Sequence, residues 1–497
     1  MKILFASAEV VPFAKTGGLA DVAGALPKGL SELGHEVRII MPRYKMIDPK
    51  KFKLRKILSG LQVKILDRFE LADIYSAKIP GSDVTVYFVA NQKYFDRDGL
   101  YQDKGKDHPD NCERFSFYCK AVMEFIDRIG WHPDVLHCND WQTALMIPYA
   151  KLVYKWASKT IYSIHNLAYT GSFPKEQLPI TGFGDEMYTP GLLEYWGKFA
   201  LTKAGFVFAD KINTVSPTYA SEIQTNEFGC GMEGLLQSRS SDISGILNGI
   251  DYSVWDPATD KKIVQTFSPD ALDDKIVNKL DLQKENKIAK SKTVPLIGII
   301  SRLADQKGFD LLAGALEDIM ALKCQIVVLG TGDPKYHKML EEEKKKYPKQ
   351  LGINLGFDAA LAQKIYAGSD MFLMPSRYEP CGLGQLISFK YGTIPIVRKT
   401  GGLADTVHQF DPKSGAGDGF VFEEATSEAF FEAVKTAVSI FRRRKKAWRG
   451  LVEKVMLYDY SWETSAKKYV ELYNSSSSNS KNSIKDIPLY KFGETTV

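Results

Sequence analysis

The sequence predicts an α/β protein of two doubly wound, Rossmann-like domains. Three observations predict this. The chain has 497 residues, a length that suits two to four domains. Short, continuous apolar runs alternate with amphipathic stretches of about 10–20 residues, as parallel strands with helices on both faces do. A turn-rich and then polar stretch around 250–285 separates two such series.

In chain order, the first series has strands at K-I-L-F-A-S-A (2–8), E-V-R-I-I-M-P (36–42), D-V-L-H-C (134–138), T-I-Y-S-I-H (160–165) and K-I-N-T-V-S (211–216), with a helix opening near 18 and running to about 33. N-G-I-D-Y-S-V-W-D-P-A-T-D (248–260) is rich in turn formers, and a Lys/Asp-heavy stretch follows it to Lys292. The domains are therefore drawn as 1–258 and 259–458. The second series is P-L-I-G-I-I-S (295–301), Q-I-V-V-L-G (325–330), M-F-L-M-P-S (371–376) and I-P-I-V (394–397). S-W-E-T-S-A-K-K-Y-V-E-L-Y (461–473) reads as a helix. S-S-S-S-N-S-K-N-S (475–483) is low-complexity, so 475–497 is expected to be disordered.

Composition excludes several classes. The net charge is +5, from 65 basic and 60 acidic residues. That is no domain-scale basic excess, so nucleic acid is not an expected partner. The six cysteines show neither C-x-x-C nor zinc-ligand spacing with histidine, which suits a reduced, cytoplasmic protein. The N-terminus reads as a core strand rather than a signal peptide. No apolar run reaches the ~18 residues of a membrane span. F-R-R-R-K-K-A-W-R (441–449) reads as a solvated helix face, with contact to a polyanion or polymer as the sharper alternative.

The heptapeptide K-T-G-G-L-A-D occurs twice, at 15–21 and 399–405. The first copy follows a strand and opens a helix, the carboxyl-end position where α/β sheets bind ligands. Gly17 and Gly18 would let backbone approach a ligand, the helix N-terminus would attract an anion, and Lys15 adds charge there. A tight turn needing glycine for its backbone angles is the alternative reading, and the lysine just before the glycines shifts the balance toward an anionic ligand. The second copy follows the 394–397 strand, late in its domain, so it marks no tandem duplication. Both loops are expected to face a shared space. Arg302 and Lys307, in S-R-L-A-D-Q-K-G (301–308), could grip a diphosphate or form surface pairs with Asp305. His165 ends a strand, and Glu379 follows one in S-R-Y-E-P-C-G-L-G (376–384).

Together these stretches resemble the bacterial and plant-type glycogen and starch synthases, which use ADP-glucose. The resemblance is carried by A-E-V-V-P-F-A-K-T-G-G-L-A-D-V (8–22), Y-F-D-R (94–97), G-K-D-H-P-D-N-C-E-R-F-S-F (105–117), H-C-N-D-W-Q-T-A-L (137–145), I-H-N-L-A-Y-T-G (164–171), I-L-N-G-I-D (246–251), S-R-L-A-D-Q-K-G (301–308), P-S-R-Y-E-P-C-G-L (375–383) and K-Y-G-T-I-P-I-V-R-K-T-G-G-L-A-D-T-V (390–407). It runs in order over residues 1–475.

The resemblance implies a GT-B fold, two facing Rossmann-like domains with an active-site cleft between them. It also implies glucosyl transfer from ADP-glucose to the non-reducing end of glycogen or another α-1,4-glucan, retaining, with no metal and no cofactor. The first domain would serve mainly the acceptor and the second mainly the donor, with the 459–474 helix returning to the first. By motif, Lys15, His165, Arg302, Lys307 and Glu379 are the implied catalytic residues. Gly17, Gly18, Asp21, Phe357 (under the adenine), Cys381, Gly382, Thr400 and Gly401 join them in donor binding. Glu9, Tyr94, Asp140, Asn166 and Asn248 are implied for the acceptor. Trp141 could stack on a sugar or belong to the core.

The wider superfamily often places a second glutamate eight positions after the first. Here that position is Ile387, which takes away a ribose ligand. With no evident nucleophilic carboxylate, a front-face mechanism is expected, in which the leaving phosphate takes the acceptor's proton. A transferase with another acceptor and a glucan-binding scaffold are the alternatives. Retention of Lys15, His165, Arg302, Lys307 and Glu379 speaks against the scaffold.

Overall fold

The structure is a computed structural model that describes residues 1–103 and 105–476. The chain forms two compact units. The first holds Met1–Val215, Ala220–Ile246 and the described residues from Trp462 on. The second holds Ser216–Tyr219 and Leu247–Ser461. The last 21 residues of the tail expected to be disordered, 477–497, lie outside the described residues.

The first unit is built on one sheet. Its strands are β1 (Lys2–Ala6), β2 (Glu36–Pro42), β3 (Arg55–Ile65), β4 (Arg68–Lys78), β5 (Thr85–Ala90), β6 (Val135–Asn139), β7 (Lys159–Ile164), β8 (Lys211–Thr214) and β9 (Ile243–Gly245). Their order is β9-β8-β7-β6-β1-β2-β5-β4-β3. Seven strands are parallel, and the β3–β4 hairpin adds an antiparallel edge. Leu4, Phe5, Leu136 and Ile161 are fully buried, as continuous apolar strands covered on both faces must be. From β1 the chain winds one way to β2 and later returns to β6 on β1's other side. The crevice between the carboxyl ends of β1 and β6 is thus a topological switch point, where such sheets bind ligands.

Helix α1 (Gly18–Glu32) follows β1 after an eleven-residue loop, and α2 (Asn111–Arg128) precedes β6. A smaller sheet of Ser172–Pro174, Glu194–Tyr195 and Lys198–Ala200 follows β7.

The second unit has β10 (Leu296–Ile300), β11 (Gln325–Gly330), β12 (Leu351–Leu355), β13 (Met371–Met374), β14 (Ile394–Arg398) and β15 (Phe420–Phe422), all parallel, in the order β12-β11-β10-β13-β14-β15. This is the dinucleotide-binding order, with its switch point between β10 and β13. Three helices matter for the site: α3 (Phe309–Ala321) after β10, α4 (Gly384–Lys390) after β13 and α5 (Gly401–Thr406) after β14.

The last helix, α6 (Trp462–Asn474), is part of the first unit. Its Ala466 lies so close to Gly29 of α1 that a Cβ there would sit 3.2 Å away. Tyr469 accepts a 3.1 Å bond from Asn213, and the Tyr473 hydroxyl stands 2.8 Å from His137 Nδ1. The basic run at 441–449 is split between two helices at Arg444. Arg442–Arg444 are exposed, and Arg449 pairs with Asp273 and Glu453.

Candidate active site

In the first unit most of the candidate side chains gather on the loops leaving β1, β6 and β7. The loop after β1 is held from inside by Glu9, which is only 4% exposed. One oxygen of Glu9 accepts the Thr16 N–H and, at 3.1 Å, the Gly17 N–H. The other accepts the Thr16 hydroxyl at 2.5 Å and the Tyr101 hydroxyl at 2.8 Å. Four donors on one carboxylate fix the loop. Glu9 is thus spent on the protein rather than offered to an acceptor. The clamp holds Lys15 at the mouth of α1, exposed and paired with Asp21 at 2.7 Å.

His165 directly follows β7. Its backbone N–H donates to Asp140 Oδ1 at 2.8 Å, and its Nε2 stands 2.9 Å from Asn139 Oδ1. Asn139 in turn donates its amide to the Ala6 carbonyl at 2.9 Å. This orients the Asn139 oxygen toward the ring and puts the imidazole proton on Nε2. Burial pushes the His165 pKa down to about 3, so the ring is neutral at physiological pH. Burial, aided by Glu9, pushes the Asp140 carboxyl up to about 7, although the His165 and Asn166 N–H groups work against it. Asn166 Oδ1 caps its own turn through the Ala168 N–H at 3.1 Å.

Two candidates turn out to be interior. Tyr94 is fully buried, its hydroxyl 2.5 Å from Glu113. Burial opposes ionisation of Glu113, yet bonds from Tyr94, Lys93 and Arg68 hold it at about 2. Tyr94 therefore shows no surface to an acceptor in this structure. Trp141 is 8% exposed and packs edge-on to Phe115 and Phe173. It belongs to the core, and Gly171 lies flat on it: a Cβ there would be 2.6 Å from the ring.

In the second unit a cavity of about 150 Å³ opens at the β10/β13 switch point. Ser301, Lys307, Gly308, Ser376, Glu379 and Gly382 help line it. Lys307 donates to both Glu379 oxygens at 2.8 and 2.6 Å, and Ser376 adds a 2.8 Å bond to the same carboxylate. Gly308 makes this closeness possible. It has φ +73, and a Cβ would lie 2.0 Å from the Pro375 carbonyl.

Arg302 is exposed and donates to Gln306 at 3.0 Å. Asp305, the alternative partner for both cations, instead pairs with Lys335 at 2.8 Å and accepts the Tyr336 hydroxyl. Cys381 is buried with its thiol pushed up to about 12, and its sulfur accepts the Asn248 N–H. Asn248 belongs to this unit, and its side-chain oxygen is buried without a partner. Phe357 is 85% exposed, directly after Gly356.

The two K-T-G-G-L-A-D copies prove physically different. At Gly17 and Gly18 a Cβ would meet nothing within 4 Å, and Gly17 has φ −145. Neither backbone nor packing demands glycine, and the glycines leave open room over the α1 N-terminus. In the second copy, Gly401 has φ +45 and its Cβ would lie 2.0 Å from the Glu379 carbonyl. At Gly402 a Cβ would lie 2.2 Å from the Cys381 carbonyl. Gly402 donates to the Glu379 and Pro380 carbonyls at 3.1 and 3.2 Å. These glycines seat α5 against the loop that carries Glu379. Thr400 and Gly401 are buried, Lys399 pairs with Glu423 at 2.6 Å, and Asp405 receives the Thr218 N–H and hydroxyl.

Sequence reasoning passed over Tyr101, Asn139 and Ser376, each of which holds a candidate residue in place, and Thr218, which holds Asp405 of the second heptapeptide. Asn139 sits inside the quoted H-C-N-D-W motif, one position before Asp140, which was the available signal.

Residues 2–238 match the family model of the starch synthase catalytic domain, and 281–447 match glycosyl transferases group 1. A glycogen synthase of Desulforudis audaxviator is 46% identical over 490 residues, 95% of this chain and 96% of that one. The chain belongs to the glycogen and starch synthase family. A second glycogen synthase, from Thermosipho africanus, is 47% identical over 95% of this chain and 99% of its own. Among solved structures, the catalytic domain of starch synthase IV from Arabidopsis thaliana, bound to ADP and acarbose, superposes with a TM-score of 0.88. It is 34% identical and covers 95% of this chain and 98% of its own. The two doubly wound units are accordingly those of a GT-B glycosyltransferase, and the chain is a retaining glucosyltransferase. No helix among the described residues is long and apolar enough to cross a membrane.

Proposed function

We propose that this family member extends an α-1,4-glucan such as glycogen at its non-reducing end, taking glucose from ADP-glucose. The observation that carries the reading is the Lys307–Glu379 pair, set in a cavity at the second unit's switch point. A partly buried ammonium there is placed to neutralise a departing diphosphate. The starch synthase IV structure, with ADP and acarbose bound, supports a nucleotide-linked donor.

In this reading Lys307 leaves Glu379 for the donor's phosphates, and Arg302 and Lys15 share that charge. The freed Glu379 then holds glucose hydroxyls, beside the Cys381 and Gly382 backbone. Gly17 and Gly18 admit the phosphates to the α1 N-terminus, Asp21 keeps Lys15 in place, and Phe357 stacks on the base. Thr400 and Gly401 support the phosphate side. His165, neutral and held by Asn139, faces the sugar as charge develops at C1. Asp140, Asn166 and Asn248 offer polar groups to the acceptor.

The C1–O bond to phosphate breaks as the acceptor hydroxyl bonds C1 on the same face, and the leaving phosphate takes the hydroxyl proton. In this reading no step is routed through a metal or cofactor, and the proton acceptor is the donor's own phosphate. All six cysteines are free, which fits a cytoplasmic enzyme.

The test is ADP release from ADP-glucose with glycogen present, run in parallel with UDP-glucose. Wild type releases ADP, and Lys307→Ala loses about 10²–10³ in kcat while glycogen binding is kept. No release from either donor overturns the reading.

A further inference from the structure

Trp196 is the most exposed tryptophan-bearing feature of the first unit, and its backbone sets it apart from an ordinary surface apolar residue. Its side chain is 78% exposed. It stands at the tip of a two-residue hairpin: Glu194 pairs with Phe199 and Tyr195 with Lys198, leaving Trp196 and Gly197 as the turn. Both have positive φ, +52 and +75. That is the type I′ turn, whose first position favours Asn, Asp or Gly. A bulky aromatic there is a backbone outlier that the local fold does not ask for.

The indole is nonetheless firmly placed. A Cβ at Gly231 would lie 2.6 Å from Trp196 Nε1, so the ring edge rests on that glycine. The neighbouring Tyr195 hydroxyl donates to the Cys230 carbonyl at 2.5 Å.

The hairpin also hangs from the loop that leaves β7 with His165 and Asn166. Leu201 N–H donates to Gly171 O at 3.0 Å and Thr202 N–H to Thr170 O at 3.2 Å, and Ser172–Pro174 pairs with Lys198–Ala200. Half-exposed Tyr169 lies on the same loop. The ligand side of the sheet thus carries a solvent-facing aromatic whose exposure and backbone conformation are not what packing or the turn requires.

We infer that Trp196 is an accessory glucan platform, stacking on the apolar face of a sugar ring in the acceptor chain beyond the residue that is extended. Flat indole surfaces and the C–H faces of pyranose rings bury apolar area against each other at low entropic cost. The inference rests on the acceptor being an α-glucan.

The test uses the full chain and exploits the turn. Trp196→Asn installs the residue the type I′ turn prefers, so the fold is kept or stabilised. Trp196→Phe keeps an aromatic. With ADP-glucose saturating, Trp196→Asn is expected to raise KM for glycogen and maltoheptaose about tenfold. The KM for ADP-glucose and kcat stay within about twofold, and the melting temperature is unchanged or higher. Trp196→Phe recovers most of the acceptor affinity. Maltoheptaose added without donor should change the tryptophan emission of wild type but much less that of Trp196→Phe. An unaltered glycogen KM in a well-folded, active Trp196→Asn overturns the platform. An inactive wild type would instead indict the assigned reaction.

Discussion

Burial acts on His165 and Asp140 in opposite senses, because it disfavours whichever form is charged. Each consequence has a sign. His165 falls to about 3 in the fold against 6.5 free, so the unfolded chain binds the extra proton between those values. Stability from this group is full above pH 6.5 and is lost as pH falls toward 3. Asp140 rises to about 7 from 3.8, so the folded chain holds the extra proton and stability declines as pH climbs from 3.8 to 7. Asp140→Asn keeps the acceptor for the His165 N–H and removes the charge. Its stabilisation over wild type should be near nil at pH 4 and reach about 2–4 kcal/mol at pH 7.5, read from denaturant melts at both pH values. A gain independent of pH would show that Asp140 is ionised throughout. That Lys307 and Glu379 each follow a strand of a parallel sheet was legible in the sequence, while the roles proposed for them came from the resemblance. Their direct pairing was not, since 72 residues separate them.

The element scale is where the repeated heptapeptide divides. Identical residues open α1 and α5, yet only in the second copy are the glycines packed against another loop. Gly402→Ala should therefore destabilise by about 1–3 kcal/mol or more, since the new methyl would press on backbone that cannot move aside. Gly18→Ala should change stability by less than about 0.5 kcal/mol, because its surroundings are open, while raising the KM for ADP-glucose. Thermal melts and donor kinetics of the two variants check the contrast. Equal stability losses would refute it. The β3–β4 hairpin went unread in the sequence for a related reason. Its residues alternate polar and apolar as an edge demands, whereas the central strands stand out as continuous apolar runs.

At the scale of the whole molecule the chain leaves the first unit, builds the second, and returns. Helix α6 buries Trp462, Ala466, Tyr469, Leu472 and Tyr473 in the first unit, and Tyr473 reaches His137 beneath the sheet's centre. Stopping the chain after Ser461 should lower the melting temperature of the first unit by about 5 °C or more, since each large apolar side chain lost gives up about 1.5–3 kcal/mol. Calorimetry of the truncated and full chains tests this, and an unchanged first-unit transition would sink it. The sequence marks a helix at 461–473, but an amphipathic pattern names no partner.

The sequence by itself determined the α/β class, the two series of strands, the family and the roster of charged residues at strand ends. Those features are local: hydrophobic period, turn formers and contiguous motifs are written along the chain. Tertiary structure alone decided what those residues touch. Only there does Glu9 become a loop clamp, Tyr94 an interior group, and the second glycine pair a packing seat. Only there is Trp196 seen on a turn that prefers a smaller residue. Such outcomes depend on distance and solvent access across sheets and loops, and these arise when remote segments are brought together.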